Sequence, residues 1–217
     1  MKGNIIVIEG ADGAGKATQT KLLVERLRAD GVAVETIDFP QYKPNHFGQL
    51  LRECLDGNRG DFMQIDPKIA STLYAADRFE SLPQIKSWLE AGKTVVADRY
   101  VSANMLHQGA KILDGDERQV FLEWLATMEY KIFGVPKPDK TIYLSVPAKE
   151  RQLLISSDSI RQTADVAEQS SEHQLAADEC AKDLIEMFGW TEINCFESGS
   201  LRTRESINDD VYKAVKG

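Results

Sequence analysis

The stretch Gly10-Ala-Asp-Gly-Ala-Gly15-Lys16 narrows the possible folds more than any other part of the chain. It matches the pattern G-x-x-x-x-G-K, and its setting matters as much as its letters. Before it lies NIIVIE at residues 4–9, a short β-branched run of the kind that forms a strand buried on both faces. After it the pattern predicts a helix over about residues 16–30. That helix is closed by Gly31, where a helix end favours a left-handed residue. A strand turning through glycines into a helix suits anion binding. The glycines let backbone N–H groups wrap a phosphate, the helix N-terminus adds partial positive charge, and the lysine reaches the β- and γ-phosphates. The plain alternative is a tight turn with a surface lysine. One position departs from the pattern: Ala17 stands where Ser or Thr would hold Mg²⁺. Thr18 is turned about 100° around the helix from it. The metal would then rest mainly on phosphate oxygens, water and carboxylates.

Strands and helices alternate through the rest of the chain. Residues 32–39 read as a second strand, closed by Pro40, and residues 47–55 as a helix. Asp66-Pro67 starts another helix, with a capping carboxylate and proline at the first helical position. It runs to about Ala91 and stops at Gly92. TVVA at 94–97 is a third strand, one or two helices fill 102–133, and GVPKPD leads into a fourth strand at 141–145. A charged, serine-rich stretch from Lys149 to Ser171 has weak periodicity and reads as mobile. A helix near 172–188, a short strand near 191–196 and a helix near 204–215 follow. This order implies an α/β fold with parallel pairing, right-handed crossovers and helices on both sheet faces. The expectation is a three-layer P-loop NTPase fold on a five-stranded parallel sheet, forming one domain over 1–217 with a short mobile lid at about 149–171. Ligands in such sheets bind beyond the carboxyl ends of the strands, here after Glu9, Phe39, Ala97 and Ser145.

Side chains suited to a nucleotide gather at those ends. Asp98 closes an apolar strand in the Walker B manner, placing a carboxylate near the Mg²⁺ of a bound nucleotide. Arg99 beside it offers a fork of N–H donors for a second phosphate; the alternative is a surface ion pair. Tyr74 and Arg78 lie four apart on one helix face, suited to stacking on a base and bonding its carbonyls, or else a core tyrosine with a surface arginine. Phe39 and Tyr42 bring two aromatic rings to the same crevice. Ser102, Asn104, His107 and Gln108 add short polar groups, and Asn104 has the donor and acceptor needed for an amide edge. The charge of −8 argues against a nucleic-acid groove. No apolar run approaches the roughly 20 residues of a membrane span, and the N-terminal MKGNIIVIEG is too short and too soon acidic for a signal peptide. Cys54, Cys180 and Cys195 form neither a metal pair nor a disulfide framework. Together these features fit a cytoplasmic protein with small-molecule partners, no nucleic acid and no membrane.

The segments IEGADGAGKATQ, DFPQY, LYAADRFE, VVADRYVSANMLHQGAK and VPKPDKTIYL closely resemble thymidylate kinases of the P-loop nucleoside-monophosphate kinase family, in order and spacing, from Ile8 to Leu144. The resemblance implies phosphoryl transfer from ATP to dTMP with Mg²⁺, in dTTP biosynthesis, by a homodimer. It implies an ATP loop of Gly10, Ala11, Asp12, Gly13, Ala14, Gly15, Lys16, Ala17 and Thr18, with Asp12 and Asp98 at the metal. It places Asp12 at the acceptor's 3′-hydroxyl, Lys16 on the donor phosphates and Arg99 on the acceptor phosphate. Phe39, Tyr42, Tyr74, Arg78, Ser102, Asn104, His107 and Gln108 would complete the dTMP site, with Arg78 and Asn104 on the base. Some members carry an arginine in the phosphate loop, where this chain has Gly13; others use a lid arginine. Arg161 is the best match, followed by Asp165 and Glu168, with Arg151 as the fallback. His107 stands where the family usually has Tyr or Phe. The rival readings are a deoxynucleoside kinase or another monophosphate kinase on the same scaffold, and a nucleotide-binding regulator without activity.

Overall fold

A computed structural model describes residues 2–151 and 171–217, apart from the side chains of 171–173. Its centre is a five-stranded sheet of order β2-β3-β1-β4-β5, all parallel. The strands are β1 (Asn4–Gly10), β2 (Val34–Asp38), β3 (Thr94–Asp98), β4 (Lys140–Ser145) and β5 (Thr191–Asn194). Between them lie α1 (Lys16–Ala29), α2 (His46–Leu55), α3 (Pro67–Glu90), α4 (Val101–Gly109), α5 (Gly115–Ala126) and α6 (Ser171–Phe188); α7 (Arg204–Lys216) follows β5.

Alternation along each strand builds two cores. Ile5, Val7, Val95, Ala97 and Tyr143 face one side, packed with Ile85 and Leu89 of α3, Met105 and Leu106 of α4, Leu122 of α5 and Leu184 of α6. Ile6, Ile8, Val96, Ile142 and Leu144 face the other, against Leu23 and Leu27 of α1 and Ile207 and Val211 of α7. Both faces of β1 are therefore apolar, which is why its sequence is continuous rather than alternating. The sheet is the expected one. Register brings the strand ends level: Ile8 pairs with Asp98, Asp38 with Asp98 and Gly10 with Leu144. The carboxyl edge thus collects the phosphate loop, Asp38 and Asp98 in one row.

Local signals account for most boundaries. Asp66 caps α3 by accepting from the N–H groups of Lys68 at 2.8 Å and Ile69 at 3.4 Å, with Pro67 at the first helical position. Gly31 (φ 79°) ends α1. The region 102–133 holds two helices, and α5 continues into a π-helical turn at Thr127–Ile132. The last strand stops at Asn194, short of the expected 196, because Ser198 (φ 53°) and Gly199 (φ 80°) turn the chain back on itself. Phe196–Glu197 (β6) and Ser200–Leu201 (β7) pair there as a small hairpin. The expected lid, with Arg161, Asp165 and Glu168, lies outside the described residues but for its margins.

Candidate active site

Backbone geometry at the end of β1 is set by glycines. Gly13 (φ 84°) and Gly15 (φ 89°) adopt left-handed conformations, and a Cβ built on Gly15 meets no atom within 4 Å. Gly15 is the N-cap of α1, so that open space lies at the positive end of a helix. Lys16, buried, folds back over the loop. Its ammonium donates to the carbonyls of Gly10 (2.8 Å) and Ala11 (3.1 Å) and stands 3.5 Å from Asp12 Oδ1. Burial, and then the like charge of Arg99, lower its pKa.

Arg99 joins this loop to the rest of the site. It is one of two described non-glycine residues with positive φ, at 63°, a conformation that costs about 1–2 kcal/mol for an L-residue. Its guanidinium is ion-paired with Asp12 and donates to His107 Nε2 at 2.8 Å. A guanidinium has no acceptor, so Nε2 carries the lone pair here and the imidazole proton belongs on Nδ1. Burial alone would ease Arg99's proton off, but Asp12, Glu9 and Asp98 reverse this and hold it firmly charged. Glu9 is fully buried, accepting from Gly10 N (3.0 Å) and Ser102 Oγ (2.8 Å). Burial raises its pKa against the pull of Arg99 and Lys16, and Asp98 is raised for the same reason against Lys16 and Arg99. Glu9, Asp12, Asp38 and Asp98 thus share the carboxyl edge of the sheet with Lys16 and Arg99.

Beside the loop opens a cavity of about 230 Å³. Asp12, Phe39, Tyr42, Tyr74, Arg78, Arg99, Asn104, His107 and Gln108 all line it. Ser102 does not: its hydroxyl is turned to Glu9, because it sits on the core-facing side of α4 rather than on the side shared by Asn104, His107 and Gln108. Phe62, Met63 and Lys111 also line it, and Phe62 meets Tyr74 edge-on at 6.0 Å. Asp98 and Ala17 line a cleft between α1 and the sheet, and Asp38 borders both that cleft and the cavity. Among the described residues, no three His, Cys or acidic side chains converge as a complete metal cage.

Sequence reasoning missed two acids that organise this cavity. Asp77 is fully buried and ties the turn after β2 to α3, accepting from Gln41 N (3.0 Å) and Asn45 Nδ2 (2.8 Å). Glu129, on the π-helical turn, takes both Nε and Nη2 of Arg78; the pair is 2% and 0% exposed. Asp77 had a signal, since it precedes Arg78 in LYAADRFE. Glu129 had none, standing 51 residues from its partner. Arg151 is buried and bonded to Asp178 (2.9 Å) and Gln174 (3.4 Å), away from the cavity wall.

A parallel sheet of this order, a glycine loop after its central strand and a carboxylate closing the neighbouring strand define a P-loop NTPase fold. The family model described as thymidylate kinase matches residues 8–195. A probable thymidylate kinase of Thermococcus kodakarensis is 39% identical over 165 residues, covering 74% of this chain and 75% of its own. One from Thermococcus onnurineus is 34% identical over 216 residues, 97% of this chain and 96% of its own. The thymidylate kinase of Homo sapiens is 34% identical over 145 residues, 67% of this chain and 62% of its own. The solved thymidylate kinase of Candida albicans shares the fold with a TM-score of 0.78 at 22% identity, over 99% of this chain and 92% of that one. This chain belongs to the thymidylate kinase family.

Proposed function

We propose that the chain transfers the γ-phosphoryl group of ATP to dTMP, giving dTDP and ADP, as a step of dTTP biosynthesis. The observation that carries this reading is a shared wall. Asp12 lies in the phosphate loop beside Lys16 and also lines the aromatic cavity, where it is ion-paired with Arg99. A donor phosphate on the loop and an acceptor phosphate in the cavity would meet at Arg99.

Phosphoryl transfer passes through a loose transition state with charge spread over the moving group, so the protein's task is positioning and charge stabilisation. Lys16 would exchange loop carbonyls for donor phosphate oxygens. Arg99, pre-set by its strained backbone and by His107, would hold the acceptor phosphate in line. Asp12 would receive the sugar 3′-hydroxyl. Tyr74 and Phe39 supply faces and edges for the base, while Arg78 and Asn104 supply its polar contacts. Arg161 is the proposed lid arginine.

The donor set suits Mg²⁺. Asp98 and Asp12 offer carboxylate oxygens, hard ligands for a hard cation, and burial leaves the charge of Asp98 poorly solvated. Asp98 and Asp12 would hold Mg²⁺, which would supply positive charge against that of the donor phosphates. We further propose one catalytic domain over the whole chain, a cytoplasmic setting and a homodimer. Buried free Cys54, Cys180 and Cys195 support the first setting. Exposed Ile69 and Phe79 on α3, Val120 on α5 and Ile132 support packing against a second copy. No described helix is long and apolar enough to cross a membrane.

A coupled assay with ATP and Mg²⁺ tests the reading. Turnover is expected with dTMP and little with dUMP, dCMP or thymidine. Arg99→Ala should lower kcat on the order of 10³-fold. Preference for thymidine would mean a nucleoside kinase, and no turnover with any of them a binding protein.

A further inference from the structure

Glu9 has no task in the reaction as proposed. A carboxylate buried this completely is costly unless its oxygens are answered, and here two different elements answer them. Oε1 accepts from Gly10 N (3.0 Å), where the phosphate loop leaves β1. Oε2 accepts from Ser102 Oγ (2.8 Å), in the first turn of α4. Arg99 and Lys16 are the cations that act on its charge. One side chain thus spans from the loop to α4, and Arg99 lies beside that span.

The backbone of Arg99 gives the span a purpose. A left-handed arginine (φ 63°) persists only where its surroundings over-determine it. Before the turn is complete, Arg99 N–H reaches Ile8 O at 3.4 Å, a long bond. After it, Ser102 is held by Glu9. Both ties end on consecutive residues of β1, so the turn is pinned to the strand that feeds the phosphate loop.

We infer that Glu9 is a positioning residue for phosphoryl transfer: by holding Ser102, it closes the left-handed turn that aims Arg99 at the acceptor phosphate. The inference rests on the proposed function, in which Arg99 takes that phosphate. What the role requires is the pair of contacts rather than the charge. In Glu9→Gln the amide oxygen can keep Gly10 N–H, and the NH₂ can donate to Ser102 Oγ, since a hydroxyl accepts as well as donates. Ser102→Ala cuts the contact to α4 and leaves Gly10 bonded. Glu9→Ala loses both.

The test is kcat and KM for dTMP and for ATP in these variants, with Ser102→Ala also made in the Arg99→Ala background. Ser102→Ala should lower kcat/KM for dTMP by about five-fold or more, the equivalent of about 1 kcal/mol, and leave KM for ATP within about two-fold. Without Arg99 the same substitution should cost less than about two-fold, because the group it positions is gone. Glu9→Gln should exceed Glu9→Ala in kcat/KM for dTMP by about five-fold or more. If Glu9→Ala does not fold, Ser102→Ala and the Arg99 background decide. A smaller effect of Ser102→Ala in a folded protein, a larger one without Arg99, or a Glu9→Gln protein no better than Glu9→Ala would each overturn the inference and leave the proposed function standing. A parent that does not turn over dTMP overturns both.

Discussion

Alanine at Gly15 and alanine at Gly31 should cost the same in stability and differ wholly in activity. The two glycines flank α1, with φ of 89° and 79°. A Cβ at either meets no atom within 4 Å, so neither substitution makes a clash. What each incurs is the left-handed backbone of an L-residue, about 1–2 kcal/mol. The stiffer unfolded chain returns little of this, because the gain from Gly→Ala applies only where the native φ suits alanine. For a chain of this size that corresponds to a fall in Tm of roughly 2–8 °C in each variant. Gly31 lies at the far end of α1 from the loop, so Gly31→Ala should keep kcat/KM for ATP within about two-fold. At Gly15 the open space is the one a phosphate would occupy, about 2.9 Å from the backbone N–H groups at the start of α1. A methyl group there displaces the anion, and kcat/KM for ATP should drop by roughly 10- to 150-fold, as for loss of one charge-assisted contact of about 1.5–3 kcal/mol. Thermal melts and the coupled kinase assay read the two effects separately. A Gly15→Ala protein with near-parental ATP kinetics would refute the phosphate cradle. Equal losses of activity in both variants would refute the claim that the space at Gly15 is special.

Two further outcomes follow from the packing. Burial pushes the thiol of Cys180 up to about 12 and that of Cys195 to about 11, and raises Cys54 as well. Since the thiolate is the reactive form, a disulfide exchange reagent at pH 8 should find no fast thiol in the folded protein and all three cysteines after denaturation; one fast native thiol would contradict the burial. At Gly109 a Cβ would lie 2.7 Å from Cys180 Sγ and 3.3 Å from Leu122 Cδ2. Gly109→Ala should therefore destabilise through overpacking of about 1–3 kcal/mol, less about 0.8–1.0 kcal/mol of gained helix propensity. Adding Cys180→Ala should relieve the clash, with a coupling energy of about 1 kcal/mol or more in a double-mutant cycle. Because α4 also carries Asn104, His107 and Gln108, KM for dTMP should rise and then recover in the same order; additive energies would show that the two helices do not press on each other there.

What the sequence determined by itself was local, because local physics is written in neighbouring residues. The β-branched run into Gly10, the left-handed glycines, the Asp66 cap with Pro67 and the strand ending at Asp98 each depend on residues within a turn or two. So does the i, i+4 pairing that sends Tyr74 and Arg78 to one cavity. Alternation of strands and helices then restricted the sheet to parallel pairing. The order β2-β3-β1-β4-β5 is seen only in the folded sheet. Only the tertiary structure decided which polar groups answer one another. Glu9 at a strand end takes Ser102 away from the cavity, and His107 accepts from Arg99 across the start of α4. A π-helical turn swings Glu129 under Arg78 and Asn104. A buried charge must find its partner wherever the folded chain brings one, and no spacing along the chain announces a meeting between residues 51 apart.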